Sequence, residues 1–147
     1  LMSLPTEIGA LTGLTRLLLD SNALMSLPTE IGALTGLTSL ALNANAITSL
    51  PTDIGALTGL TYLDLNSNAI TSVPAELAAL TGLVELYLDS NQLTGVPAVF
   101  RTWGPSSTCY LFNNPDFRPE LSCCFSCANV GAGTSCCTGD DFYGNHC

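Results

Sequence analysis

The sequence predicts an α/β repeat protein in which one short strand and one short helical turn recur in every 23-residue unit. Three observations predict it. Segments 1–23, 24–46, 47–69 and 70–92 align without a gap, and the first two are identical at nineteen of their 23 positions. Within each unit two apolar columns stand two residues apart, the alternation of a strand with one buried face. Two further apolar columns stand three residues apart after a Pro-Thr step, which is the spacing of a short helical or 3-10 turn on the opposite side.

The turn comes first in each unit. Its columns are Ile8, Ile31, Ile54, Leu77 and Phe100, then Leu11, Leu34, Leu57, Leu80 and Trp103. The strand follows, with Leu17, Leu40, Leu63, Leu86 and Cys109 in one column and Leu19, Leu42, Leu65, Leu88 and Leu111 in the next. Just after each strand comes asparagine: Asn22, Asn45, Asn68, Asn91 and Asn114. An amide side chain both donates and accepts, so it can satisfy main-chain groups of a buried turn that no helix or sheet ladder serves. A fifth unit opening at Leu93 stays in phase as far as Asn114 and then decays.

The segments LTRLLLDSNAL (14–24), LTSLALNANAI (37–47), LTYLDLNSNAI (60–70) and LVELYLDSNQL (83–93) each match L-x-x-L-x-L-x-x-N-x-L. Together with the LPxxIGxL half of the unit, they make residues 1–114 resemble a leucine-rich-repeat protein. The resemblance implies a curved solenoid with short parallel strands on the concave face, short helical or 3-10 turns on the convex face, and a disulfide-rich C-terminal cap. It divides the chain into repeats over 1–104 and a last strand with cysteine-rich cap over 105–147. Each unit buries its leucines only against its neighbours, so stability is roughly a sum of nearest-neighbour interfaces.

The places where the units differ point to the working surface. The first two units differ only at Arg16/Ser39, Leu18/Ala41, Asp20/Asn43 and Ser21/Ala44, and the next pair changes again at Ser39/Tyr62 and Ala41/Asp64. By strand alternation Arg16, Leu18 and Asp20 point away from the core. Meanwhile the Thr6, Ala10 and Thr12 columns on the other side stay fixed through three units. Diversity confined to one side favours a recognition face. Its expected members are Arg16, Leu18, Asp20, Tyr62, Asp64, Asn66, Glu85, Tyr87, Asp89, Tyr110 and Phe112. With strands about 4.8 Å apart, the tyrosines and Phe112 form an aromatic strip edged by carboxylates. Tyrosine offers rigid contact area with a polar tip, which suits a protein partner and also a sugar ring. The alternative is that these residues only support one another across the sheet.

Composition removes several function classes. Twelve Asp and Glu stand against three Arg and no Lys, a formal charge of −9. Three scattered arginines cannot meet a phosphate backbone or an anionic membrane. The uncharged stretches 31–52 and 121–139 are interrupted by Thr, Ser and Asn, so no membrane span is expected. The acidic column Glu7, Glu30, Asp53 and Glu76 follows the turn-starting proline, where unpaired N–H groups favour a carboxylate, and needs no cation ladder. Asp64 and Asp89 have no calcium loop around them. His146 is the only histidine and no nucleophile–base motif occurs. No catalytic residue, metal ligand or cofactor is therefore assigned, and the chain is read as non-enzymatic.

All seven cysteines fall in residues 109–147. That density marks a disulfide scaffold, and the tail from FNNPDF into Cys123 resembles the cysteine-bearing caps of extracellular leucine-rich repeats. Cys123, Cys124, Cys127, Cys136, Cys137 and Cys147 are expected to pair, with connectivity open and Cys109 left as a small hydrophobe in a leucine column. Zinc at Cys124-x-x-Cys127 with Cys136, Cys137, His146 or Cys147 is the rival. Disulfides place the chain outside the cell, secreted or on the cell surface. The chain opens in mid-motif at Leu1, without initiator Met or N-terminal cap, so further repeats or a like subunit are expected over that end. The expected function is extracellular recognition of a protein partner. The alternatives are a building block of a wall, sheath or filament, a glycan-binding repeat, or an intracellular adaptor.

Overall fold

The computed structural model describes residues 1–94, 107–111 and 113–115. The cysteine tail, including Cys123, Cys124, Cys127, Cys136, Cys137 and Cys147, lies outside the described residues, as do Phe100, Trp103 and Phe112.

The strand columns form five three-residue strands: β1 (Arg16–Leu18), β2 (Ser39–Ala41), β3 (Tyr62–Asp64), β4 (Glu85–Tyr87) and β5 (Thr108–Tyr110). They make one parallel sheet in chain order. Every pairing joins residues 23 apart in sequence, such as Arg16↔Ser39 and Ser39↔Tyr62, so each column becomes a row across the sheet. Between strands the turn columns form 3-10 helices over Thr6–Ala10, Thr29–Ala33, Thr52–Ala56 and Ala75–Ala79. Each starts after a proline with φ between −66° and −72°, which suits the non-helical residue before the first turn.

Strand and turn face each other across a core of leucine and isoleucine. Ile31, Leu34, Leu40, Leu42, Ile54, Leu57, Leu63, Leu65, Leu77 and Leu80 have essentially no exposed surface. Burying each such side chain contributes about 1.5–3 kcal/mol. Cys109 is buried in the leucine column beside Leu86, its partner in register. In the first unit Leu4, Ile8, Leu14, Leu17 and Leu19 are only partly covered, and Leu1 and Met2 are exposed.

The asparagine column closes each coil. The Asn68 amide donates to the carbonyls of Leu42, Leu65 and Asn66 at 3.0, 3.0 and 3.2 Å, and its oxygen accepts from the Ile47 N–H at 3.0 Å. Asn45 and Asn91 repeat the set one unit earlier and later. The residue before each asparagine has a left-handed backbone: Ser21, Ala44, Ser67, Ser90 and Asn113 have φ between 52° and 56°. The sequence carries little sign of this, since serine and alanine do not favour that region. On the turn side a hydroxyl ladder runs up the stack, with Thr38 and Thr61 donating to the carbonyls of Thr15 and Thr38 at 3.0 Å.

The acidic column stands in the first 3-10 turn, as expected, after prolines that have no side-chain cap to offer. Glu7, Glu30 and Asp53 accept from the hydroxyl of the preceding threonine at 3.3–3.4 Å. Their backbone packs on the glycine of the unit before. A methyl at Gly55 would lie 2.5 Å from the Glu76 carbonyl oxygen and 2.9 Å from the Glu76 Cβ, whereas one at Gly13 meets nothing within 4 Å.

Two stability outcomes follow from these contacts. Asn68→Ala strands the buried Ile47 N–H and takes one of two amide donors from each of the Leu42 and Leu65 carbonyls, and is expected to cost about 2–3 kcal/mol. Asn22→Ala, at a partly exposed position, is expected to cost about 1 kcal/mol, both read as shifts of the urea midpoint. Gly55→Ala is expected to cost about 1–3 kcal/mol by overpacking, while Gly13→Ala stays within about 0.5 kcal/mol of the parent.

Candidate functional site

The sheet face turned away from the leucine core carries three rows. The first is Arg16, Ser39, Tyr62, Glu85 and Thr108, and the second is Leu18, Ala41, Asp64, Tyr87 and Tyr110. Beyond the strand ends come Asp20, Asn43, Asn66 and Asp89, with Phe112 outside the described residues. The rows exist because a strand shows alternate side chains to one face and every pairing has the same register.

The two ends of this face differ. On β1, Arg16 is exposed, as is Leu18 at 57%. Asp20 is exposed just after the strand. On β2 the face drops to Ser39 and Ala41. From β3 onward it is aromatic. Tyr87 and Tyr110 stack with ring centroids 4.5 Å apart and planes 7° from parallel, and Tyr62 lies 5.6 Å from Tyr87 with a tilt of 48°. Offset and tilted pairs at these separations are attractive, worth about 0.5–1.5 kcal/mol beyond burial. The stacking distance is close to the spacing of the strands that carry the rings.

Two carboxylates are tied into this stack. The Tyr62 hydroxyl donates to Asp64 Oδ2 at 3.2 Å, and the Tyr87 hydroxyl donates to Glu85 Oε2 at 3.2 Å. Asp64 Oδ1 accepts the Asn66 N–H at 3.0 Å. Strand alternation placed Asp64 on the open face, but the residue is only 8% exposed, standing in register beside Tyr87 and accepting the Tyr62 hydroxyl. Ala41 is likewise buried at 8%. Tyr62, Glu85, Tyr87, Tyr110, Asn66 and Asp89 keep part of their surface in solvent. Desolvation, then the charge and hydrogen bond of Asp64, raise the Tyr62 hydroxyl above its usual pKa. Tyr87 is pushed up further, by desolvation first and then by its hydrogen bond to Glu85 and that carboxylate's charge.

Among the described residues no group of three or more His, Cys, Asp or Glu could hold a metal ion. Among them, too, no helix is long and apolar enough to cross a membrane. Arg16 is the only described Lys or Arg.

Short parallel strands, 3-10 turns, an asparagine column and a 23-residue register together define a repeat solenoid. A family model described as leucine-rich repeat matches residues 12–70 and 35–93, more than half of the chain, and the protein belongs to the leucine-rich-repeat family. No curated protein matches the sequence significantly. Among solved structures, the chain is similar to a leucine-rich-repeat protein of Leptospira interrogans, with 38% identity and a TM-score of 0.72 over 78% of this chain and 29% of that one. A plant ice-binding protein shares 35% identity, with a TM-score of 0.68 over 75% of this chain and 37% of that one. The leucine-rich-repeat ectodomain of the receptor kinase SOBIR1 from Arabidopsis thaliana shares 27% identity, with a TM-score of 0.67 over 76% of this chain and 64% of that one. The chain thus spans less than two thirds of the length of each. Leucine-rich repeats generally mediate protein–protein interaction, and the family is typically non-enzymatic.

The raised tyrosines have a measurable signature. In an alkaline ultraviolet titration a gap is expected between native protein and denatured chain, because Tyr62 and Tyr87 ionise at higher pH in the fold. Combined Tyr62→Phe and Tyr87→Phe changes should remove most of that gap. Because the folded values lie above the unfolded one near 10, these two groups leave stability unchanged below that pH. They lower it as pH rises from there toward the folded values.

Proposed function

We propose that this protein is a non-enzymatic extracellular recognition module that binds a protein partner on the concave strand face. The observation that carries the reading is the joined set Tyr62, Tyr87, Tyr110, Asp64 and Glu85: three rings in mutual contact, with two hydroxyls already committed to carboxylates. Rings held by their neighbours lose little freedom on binding, and rigid tyrosine clusters are frequent centres of binding energy. Arg16, Leu18 and Asp20 extend the face on the other side of Ser39 and Ala41, and Asn66 and Asp89 edge it. An extracellular setting is supported by the tail cysteines, which are proposed to form a disulfide-rich cap over residues 105–147, and by similarity to a receptor-kinase ectodomain.

The test compares two matched triple variants. Partners are captured covalently from the source organism's own secreted and surface proteins and identified by mass spectrometry. The identified protein is then titrated against the purified variants. Changing Tyr62, Tyr87 and Tyr110 to Ala is expected to weaken it by more than about 2 kcal/mol, some thirtyfold. Changing Thr6, Thr29 and Thr52 to Ala should leave binding within twofold. Equal losses from both sets would defeat the assignment of the face.

A further inference from the structure

We infer that the partner presents an arginine side chain to this face, its guanidinium stacked on the outer side of Tyr62 above Ser39 and Ala41. The inference rests on the recognition reading above and deepens it. It starts from the ends of the ring stack. Tyr87 has Tyr110 parallel to it on one side and Tyr62 on the other, so both of its faces are occupied. Tyr62 is turned 48° from Tyr87, and its side away from Tyr87 borders β2. There the residues in register are Ser39 beside Tyr62 and Ala41 beside Asp64. The next strand again raises a large side chain, Leu18, beside Ala41. The face therefore steps down over β2, a slot open mainly above Ser39, since Ala41 at its other end is only 8% exposed, between β1 and β3, which stand two strand spacings apart, about 9.6 Å. A planar group stacked on a ring occupies roughly 3.5–4 Å of that width.

Charge selects what enters. The partners of the Asp64 and Glu85 carboxylates are tyrosine hydroxyls and, for Asp64, a main-chain N–H. None of these carries a positive charge, so no cationic partner in the face is bonded to either carboxylate. The single described Lys or Arg, Arg16, sits on β1, two strands from β3 and three from β4, and among the described residues no ion pair joins it to either carboxylate. A cation on this side of Tyr62 gains the ring face and the charge of Asp64 on the same strand, whereas Glu85 stands two strand spacings away beyond the ring. Guanidinium suits the place better than ammonium because it is flat, weakly hydrated and able to stack while its N–H groups point at carboxylates. A neutral sugar would stack but would take nothing from the charges.

The experiment uses the full chain and three short peptides that alternate glycine with arginine, with lysine or with citrulline. Binding is followed by calorimetry and by the ring-proton NMR signals of the tyrosines, at low and physiological salt. The arginine peptide is expected to bind and to shift Tyr62 signals. The lysine peptide should bind at least fivefold more weakly and the uncharged citrulline peptide at least tenfold more weakly. Ser39→Leu, which fills the slot without touching the rings, and Tyr62→Ala should each cost at least tenfold. Asp64→Asn, which removes the charge and keeps one oxygen for the Tyr62 hydroxyl, should cost several-fold and flatten the salt dependence. Arg16→Gln should bind as well or better. Absence of binding to the parent, equal binding of the citrulline peptide, or unchanged binding by Ser39→Leu and Tyr62→Ala would overturn the inference. If the triple tyrosine variant loses the captured partner while Ser39→Leu and Asp64→Asn hold it as the parent does, the face reading stands and the arginine inference falls. If none of these variants loses it, both fall.

Discussion

Everything in this molecule depends on how a main chain can turn sharply inside a dry stack. A coil leaving its strand must bury carbonyls and N–H groups that no regular ladder reaches, and an unpaired group there costs about as much as a lost hydrogen bond. One asparagine per unit answers the demand. The Asn68 amide links its own turn to Leu42, 26 residues back, and its oxygen takes the Ile47 N–H, 21 residues back. Each amide is thereby a clamp between consecutive coils. Four such clamps, at Asn45, Asn68, Asn91 and Asn114, spaced 23 residues apart, hold the coils in register against slipping.

That fixed register is what makes the outer face possible. Tyr87 and Tyr110 lie 23 residues apart and meet in near-parallel stacking because their strands are held side by side without offset. A shift of one residue would send one ring into the core and the other to solvent. The hydroxyls then find carboxylates on their own strands, two residues away, so aromatic and acidic groups are organised before any ligand arrives. Recognition surface and core are consequently two sides of one alternation, and the asparagine column holds both.

Much of this was legible in the chain because it depends on column position alone. Leu40, Leu63 and Leu86 declare the buried row, and Tyr62, Glu85 and Tyr87 fall outward by parity. The 3-10 turns were legible from Ile31 and Leu34, three apart after Pro28 and Thr29. What parity does not disclose is how neighbours lean. Asp64 points outward and is nevertheless covered, standing in register beside Tyr87 and accepting the Tyr62 hydroxyl at 3.2 Å. The left-handed backbone at Ser21, Ala44 and Ser67 was not legible either, because the asparagine that follows imposes it on residues with no preference for it. The cap rested on cysteine density and lies outside the described residues.

The equal step from strand to strand also bears on how such a chain lengthens. Because Arg16 pairs with Ser39 and Ser39 with Tyr62 at the same interval, each unit is a cassette whose two joints are alike. Near-identical stretches such as 1–23 and 24–46 invite unequal exchange in the gene, adding or removing one whole cassette at a stroke. Every leucine and asparagine then meets its accustomed neighbour, while the outer face gains or loses a strand of fresh side chains. Selection on binding can therefore act through copy number without first having to rebuild an interior.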